Sequence, residues 1–153
     1  MPTLLKKNHS KARIELSYIL AKASLKNDIK DPILIGKALV EWGLDELADG
    51  FWVWETGTDK EYFSPVFRKT LGFEGEHDFP NSPSSWQNAI NPTHAKLALE
   101  KYFLHEKSPE NEYFLEVEYK KKDGSKVQLY CVGEIINRGE SPQIMLGTHE
   151  IIP

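Results

Sequence analysis

Two tryptophans in one short extended segment constrain this chain more than any other feature. The segment FWVWE (residues 51–55) has the composition of a β-strand, in which successive side chains point to opposite faces. Trp52 and Trp54 therefore share one face of the predicted strand. Because two indoles on one face need a deep apolar space to fill, we expect the rest of the chain to complete a cup around this strand.

The residues that follow predict a hairpin closed by a short helix. Residues 56–59 are turn-forming types, and residues 61–63 are typical of a returning strand. Ser64 followed by Pro65 is typical of a helix N-cap and first helical position, and Gly72 is typical of a helix end. The stretch thus predicts a strand pair rich in aromatic residues with a small helix directly after it.

Composition and charge restrict the class of protein. The 153 residues suffice for one domain with a helical appendage, and 40% apolar and 27% charged residues are ordinary for a soluble globular protein. The net charge of -4 argues against nucleic acid or an anionic membrane as the main partner. No membrane span and no signal peptide are predicted, so we expect a cytoplasmic location. A single cysteine, Cys131, excludes an internal disulfide.

The N-terminal part of the chain predicts two helices. A stripe of apolar residues at three- and four-residue spacing runs through residues 10–26: Ile14, Tyr18, Ala21 and Leu25. Asp31 followed by Pro32 starts a second helix, which Gly43 interrupts. These helices either pack on their own domain or pair with a second copy of the chain. We divide the chain into a helical extension, residues 1–43, which is a possible dimerisation element, and a domain, residues 44–153.

The remainder predicts short helices followed by three strands. A short helix carries Trp86 and Ile90 inward, and a longer one covers residues 93–104. Two-residue alternation and the Asp-Gly turn at position 124 predict strands over three ranges: residues 113–120, 126–136 and 143–151. Sequential hairpins allow the first strand to pair with the last. The predicted fold class is α+β, with one five-stranded antiparallel sheet and flanking short helices, preceded by the helical extension.

The order and spacing of several local strings resemble a PAS sensory domain of the subclass with tryptophans in the first strand. The resemblance covers about residues 44–152, and no single string carries it. The strings are GFWVWE (50–55), YFSP (62–65), LGF (71–73), INP (90–92) after Trp86, KDGS (122–125) and LGTH (146–149). The Asp-Ile-Thr end common in the family is replaced by Glu150-Ile151-Ile152-Pro153. The chain is then either a piece of a longer signalling protein, such as a kinase or cyclase with an output domain, or a stand-alone sensor.

The resemblance implies a signal-sensing and protein-interaction module that encloses a small molecule between the sheet and the long helix, and no enzyme activity. Eight aromatic and aliphatic residues are the candidate pocket: Trp52, Trp54, Phe63, Phe67, Leu71, Trp86, Tyr102 and Tyr130. For the two tryptophans, simple core packing is the competing interpretation. We expect a homodimer through the N-terminal helices.

The chain departs from the PAS subclasses that hold a known cofactor. A flavin photoadduct needs a cysteine near the middle helices, whereas Cys131 lies in a late predicted strand. A haem needs an axial histidine facing the cup from the long helix. His94 and His105 fall at its predicted ends, where we expect surface positions. His77 and His149 are isolated, and no histidines or acids have metal-ligand spacing, so no metal site is predicted.

Two other functions remain open. One is a ligand-free dimerisation module. The other is a small cup-shaped α+β enzyme similar in outline to ketosteroid isomerase, which needs a carboxyl group in an apolar cavity. The predicted inward faces carry no evident buried carboxylate. Glu116 and Glu118 would supply one only if the strand face that they share with Phe114 pointed inward.

Overall fold

A computed structural model of the chain describes residues 30–153, which form one five-stranded antiparallel sheet in the order β2-β1-β5-β4-β3. The strands are β1 Phe51–Glu55, β2 Glu61–Phe63, β3 Tyr113–Lys120, β4 Lys126–Ile135 and β5 Ile144–Ile151. The first strand pairs with the last, since β1 lies between β2 and β5. The predicted α+β class and its five-stranded antiparallel sheet are confirmed.

Within residues 30–153, five α-helices accompany the sheet. They are α1 Pro32–Glu41, α2 Pro65–Thr70, α3 Gly75–Asp78, α4 Pro83–Ala89 and α5 Pro92–Lys107, with a 3-10 turn at Leu44–Glu46 between α1 and β1. Their starts follow local chemistry. The Asp31 side chain accepts hydrogen bonds from the first backbone N–H groups of α1, and the Ser64 hydroxyl accepts one from Phe67 N in α2.

Helix α1 packs on the outer face of the sheet. Its Ile35 and Leu39 are buried in a cluster, here called the outer cluster, with residues of β1, β2, β4 and β5: Phe51, Val53, Tyr62, Val132, Ile144 and Leu146. Of the two arrangements open for the second predicted helix, this is packing on its own domain. The first predicted helix, over residues 10–26, lies outside the described residues.

The inner face of the sheet holds the larger core cluster, here called the inner cluster, and is covered by α2, α4 and α5. At its centre the Trp52 indole lies against Gly147 of the neighbouring strand, where a Cβ atom would overlap the ring. Trp54 packs on the same cluster, so the two tryptophans share the inner face as predicted. Within residues 30–153, no helix is long and apolar enough to cross a membrane.

Candidate functional site

A cavity lies between the inner face of the sheet and the helices α4 and α5. Its volume is about 70 Å³, counted as the space open to the centre of a water molecule. A single water needs only ~10–15 Å³ on this measure, so the cavity has room for a small organic molecule or several waters. Residues of all five strands contribute to its wall.

Six of the eight predicted pocket residues line this cavity: Trp52, Trp54, Phe63, Phe67, Trp86 and Tyr102. Alternation along β1 and β2 turns the strand residues of this group to the inner face. There Trp52 lies opposite Phe63 in the β1–β2 ladder. Trp54 meets the Tyr102 ring of α5 edge-on, with ring centroids 4.9 Å apart. That these side chains contact a ligand stays a prediction.

The structure places the other two predicted residues away from the cavity wall. Leu71 is fully buried in the inner cluster, at the C-terminal cap of α2. Tyr130 lies on the opposite face of the sheet, where its ring stacks on Phe114 at 5.2 Å. Its neighbour Cys131 lines the cavity, and strand alternation then turns Tyr130 outward. Placing Tyr130 in the pocket was wrong for that reason.

A buried carboxyl group lies in the cavity wall, contrary to the sequence-based expectation. Glu61 in β2 is 4% exposed and lies directly opposite Trp54. Burial raises the pKa of Glu61 well above 4.5, while a hydrogen bond with the Trp86 side chain opposes that rise. Alternation back from Phe63 was the signal that places Glu61 on the inner face. The face of β3 that carries Glu116 points outward.

A buried histidine also faces the cavity. His149 in β5 is 2% exposed, and neither ring nitrogen has a hydrogen-bond partner in the described part of the chain. Its ring stacks on Phe67, with centroids 4.5 Å apart. Burial lowers the pKa of His149 to about 3, so the imidazole is neutral at ordinary pH. Inward alternation from Met145 through Gly147 to His149 was the signal in the sequence.

No family model and no curated protein matches the sequence. Solved structures do resemble the chain. A sensory box histidine kinase/response regulator from Burkholderia thailandensis E264 superimposes with a TM-score of 0.59 at 22% identity, over 74% of this chain and 84% of that one. A light-oxygen-voltage domain studied with a flavin analogue gives a TM-score of 0.54 at 16% identity, over 82% and 89%. The PAS-B domain of Drosophila melanogaster Cycle gives 0.53 at 12% identity, over 67% and 99%.

The chain has the PAS fold. The resemblance drawn from the sequence is confirmed at the level of this fold. Assignment to the subclass with tryptophans in the first strand stays a prediction. The cavity described above is the cup of the PAS fold, enclosed by the sheet and the long helix α5.

Both histidines of the long helix α5 are hydrogen-bonded within the fold. His105 is fully buried rather than on the surface as predicted, and it lies inside α5, which extends past residue 104 to Lys107. Its Nδ1 lies 2.8 Å from the Asn111 carbonyl oxygen and its Nε2 accepts from Ile135 N at 3.2 Å. These bonds assign the proton to Nδ1 and tie the end of α5 to the sheet. His94 Nδ1 likewise accepts from Glu118 N at 2.8 Å.

The other polar groups of the cup are held in neutral forms. Burial raises the pKa of the Cys131 thiol to about 12, so this cysteine is a poor nucleophile. Burial also raises the pKa of Tyr113 and of Tyr119 well above 10. Among residues 30–153, no group of three histidine, cysteine or acidic side chains is placed to hold a metal ion.

Proposed function

We propose that this chain is a signal-sensing and protein-interaction module that binds a small molecule in its PAS cup. The observation that carries the proposal is the cavity itself, whose wall includes the buried His149 ring; neither ring nitrogen has a hydrogen-bond partner within residues 30–153. Buried polar atoms in folded proteins are nearly always hydrogen-bonded. A bound molecule that donates to one nitrogen and accepts from the other would satisfy both, since a neutral imidazole offers one acceptor and one donor.

The comparisons support a sensory role within a larger signalling protein. The Burkholderia structure comes from a sensory box histidine kinase/response regulator, and this chain shares its fold. We place the module in the cytoplasm, with a kinase, cyclase or other output element as its partner. In this proposal the chain senses and carries no catalytic activity of its own.

The mechanism is a shift between two packings of the helices on the sheet. The sheet separates the cup from α1, and both layers share its central strands: Trp52 points into the inner cluster, whereas Phe51 and Val53 point into the outer cluster. A ligand that favours one sheet geometry therefore favours one position of α1 on the outer face of the sheet. The preference would then reach the segment before α1.

A thermal-shift screen of small metabolites, with mass spectrometry of what copurifies, tests the proposal. The variant Ala98→Phe fills the cup from α5, since Ala98 is 4% exposed and lines the cavity. Lys96→Phe on an exposed position of the same helix is its control. We expect compounds that stabilise the wild type and Lys96→Phe but not Ala98→Phe. If no compound stabilises the wild type, the result would favour the ligand-free dimerisation module.

The dimer is a separate part of the proposal. Because α1 buries Ile35 and Leu39 on its own sheet, we propose residues 1–29 as the segment that pairs two copies. Light scattering of the full chain and of a chain lacking residues 1–29 tests this. We expect a dimer and a monomer respectively; two monomers would remove the N-terminal helix from the interface.

A second candidate function is the cup-shaped enzyme, which Glu61 favours. A carboxyl group in an apolar cavity is a feature of such sites, and in its ionised form it can abstract a proton next to a carbonyl. The test is deuterium exchange at the α-carbon of a small cyclic ketone, followed by NMR with the wild type and Glu61→Gln. The sensor proposal expects no acceleration above buffer in either protein. Exchange that is lost in Glu61→Gln would establish the enzyme instead.

A further inference from the structure

The charge and chemistry of the cup define the class of molecule that it takes. We propose, resting on the small-molecule site proposed above, that the ligand carries an organic cation of the ammonium type. The Glu61 carboxylate holds this cation, and tryptophan and tyrosine rings surround it. This ligand class is independent of the output element that the module serves.

Among the described residues, the cavity wall offers an acidic side chain to a cation and no lysine or arginine to an anion. Glu61 is its one acidic side chain, and the described residues that line the cavity include no lysine or arginine. Nor does Glu61 form a salt bridge anywhere within residues 30–153. The nearest buried cation in the sequence, Arg68, is committed elsewhere, to Phe63 O and Phe79 O at 2.8 and 2.9 Å. An anionic ligand would meet no positive group here.

In the cavity wall, aromatic rings lie beside Glu61. Trp54 lies directly opposite it across the β1–β2 ladder, and Tyr102 meets Trp54 edge-on. The polar edges of both rings are already bonded, Trp54 Nε1 to Thr58 O at 2.9 Å and the Tyr102 hydroxyl to Glu106. What these side chains offer to the cavity is therefore ring surface.

Trp86 completes this arrangement from α4. Its side chain hydrogen-bonds Glu61, so the ring and the carboxyl group form one wall of the cavity. Aromatic faces carry negative charge density and attract ammonium groups, most strongly where water is excluded. A carboxylate among such faces is the combination that recognises alkylated ammonium ions, and its cost of burial is offset when the cation enters.

Occupancy by a cation has a proton signature. Burial favours the protonated form of Glu61, and a neighbouring positive charge favours the ionised form. The other ionisable groups that share the cavity are Tyr102 of α5, Tyr113 and Tyr119 of β3, Cys131 of β4 and His149 of β5. The pKa values of Tyr102 and Cys131 are about 12, those of Tyr113 and Tyr119 lie well above 10, and that of His149 is about 3. A proton released between pH 4.5 and neutrality therefore comes from Glu61.

The test compares two probes of the same shape on the full chain. Phenyltrimethylammonium carries a permanent positive charge, and tert-butylbenzene is its neutral isostere. Calorimetric titrations use the wild type, Glu61→Gln and the control Glu116→Gln, which removes an exposed carboxylate from the outer face. We expect the cation to bind the wild type and the control alike, and Glu61→Gln about tenfold or more weakly. The isostere should not distinguish the three proteins.

A second readout separates a direct charge contact from a general effect of the substitution. Titrations in two buffers of different ionisation enthalpy give the number of protons released on binding. At pH 5, about half a unit above the ordinary pKa of glutamate, we expect the wild type to release protons when the cation binds. We expect Glu61→Gln to release none.

Three outcomes would overturn the inference. If the cation binds Glu61→Gln as well as it binds the wild type, Glu61 is not its partner. If only the isostere binds, the cup takes neutral molecules, and the small-molecule site stands without the cation. If neither probe binds the wild type, the inference fails, and the metabolite screen with Ala98→Phe decides separately whether the cup is a ligand site at all.

Discussion

On the wall of the cup, burial holds Glu61 and His149 in neutral forms, although both ionise within the acidic-to-neutral pH range when exposed. In the described part of the chain neither has a counter-ion. Each adds a pH-dependent contribution to stability, and the two contributions have opposite sign. For Glu61 the folded-state pKa is the higher one, whereas for His149 it is the lower one. Two substitutions separate them.

We expect Glu61→Gln to stabilise the protein at neutral pH. The folded-state pKa of Glu61 lies above 4.5, so its contribution is fully present below that pH and is lost as the pH rises through the folded value. The amide keeps the shape of the side chain and does not ionise. Urea unfolding at several pH values should show a difference between variant and wild type that grows upward from pH 4.5. A difference that is constant with pH would contradict the buried placement of Glu61.

We expect His149→Gln to flatten the pH dependence on the acidic side. The pKa of His149 falls from 6.5 to about 3 on folding, so the unfolded chain binds the proton first. The contribution of His149 to the free energy of unfolding is therefore fully present above pH 6.5. It falls by about 1.4 kcal/mol for each pH unit below 6.5, until the pH reaches the folded-state pKa. The same urea series, taken from pH 7 to pH 4, checks this. Equal slopes in wild type and variant would place the ring in solvent.

Both residues show how far a sequence constrains single positions. Alternation from Phe63 and from Met145 is enough to turn Glu61 and His149 inward. Their chemistry depends on partners that come from other elements, Trp86 of α4 in one case and Phe67 of α2 in the other. Such contacts join positions far apart in the chain, and no local pattern encodes them.

At the scale of elements, α1 is a test of what the outer cluster contributes. Leu39 is fully buried, and Leu34 of the same helix is 54% exposed. We expect Leu39→Ala to lower the free energy of unfolding by about 2–5 kcal/mol, and Leu34→Ala by less than about 0.5 kcal/mol. Urea unfolding of both variants is the measurement. Equal effects would mean that α1 does not rest on the sheet.

The placement of the Trp52 ring of β1 against β5 depends on Gly147. A Cβ atom at Gly147 would overlap the Trp52 ring, so we expect Gly147→Ala to cost about 1–3 kcal/mol of stability. In a Trp52→Phe background the smaller ring leaves room, and the same substitution should cost less. A double-mutant cycle by thermal unfolding measures this coupling. Additive effects would show that the ring does not lie on Gly147.

The elements themselves were largely predictable because their boundaries are local chemistry. Asp31 and Ser64 cap the helices that follow them, and Gly124 takes the positive φ of the hairpin turn. The end of α5 was not predictable in this way. It is extended by the bonds of the His105 ring to Asn111 and to β4, which tertiary structure supplies.

At the scale of the whole molecule, one sheet separates two layers that have different roles. The inner layer encloses the cup with its polar groups, and the outer layer seats α1. In the proposed sensor, a molecule in the cup is read out as the position of α1. The order of the strands was predictable from sequential hairpins, whereas the size and polarity of the cup follow only from how the helices close over the sheet.

The central claim is that the cup binds a small molecule, and the four tryptophans provide its most direct test. Trp52, Trp54 and Trp86 line the cavity, whereas Trp42 caps α1 and packs on the outer cluster. A two-dimensional NMR titration of the full chain follows the four indole N–H signals while phenyltrimethylammonium and the compounds found in the metabolite screen are added. We expect saturable shifts that are largest at the three cavity tryptophans and are lost in Ala98→Phe. Shifts confined to Trp42, or none with any compound, would contradict a ligand site in the cup.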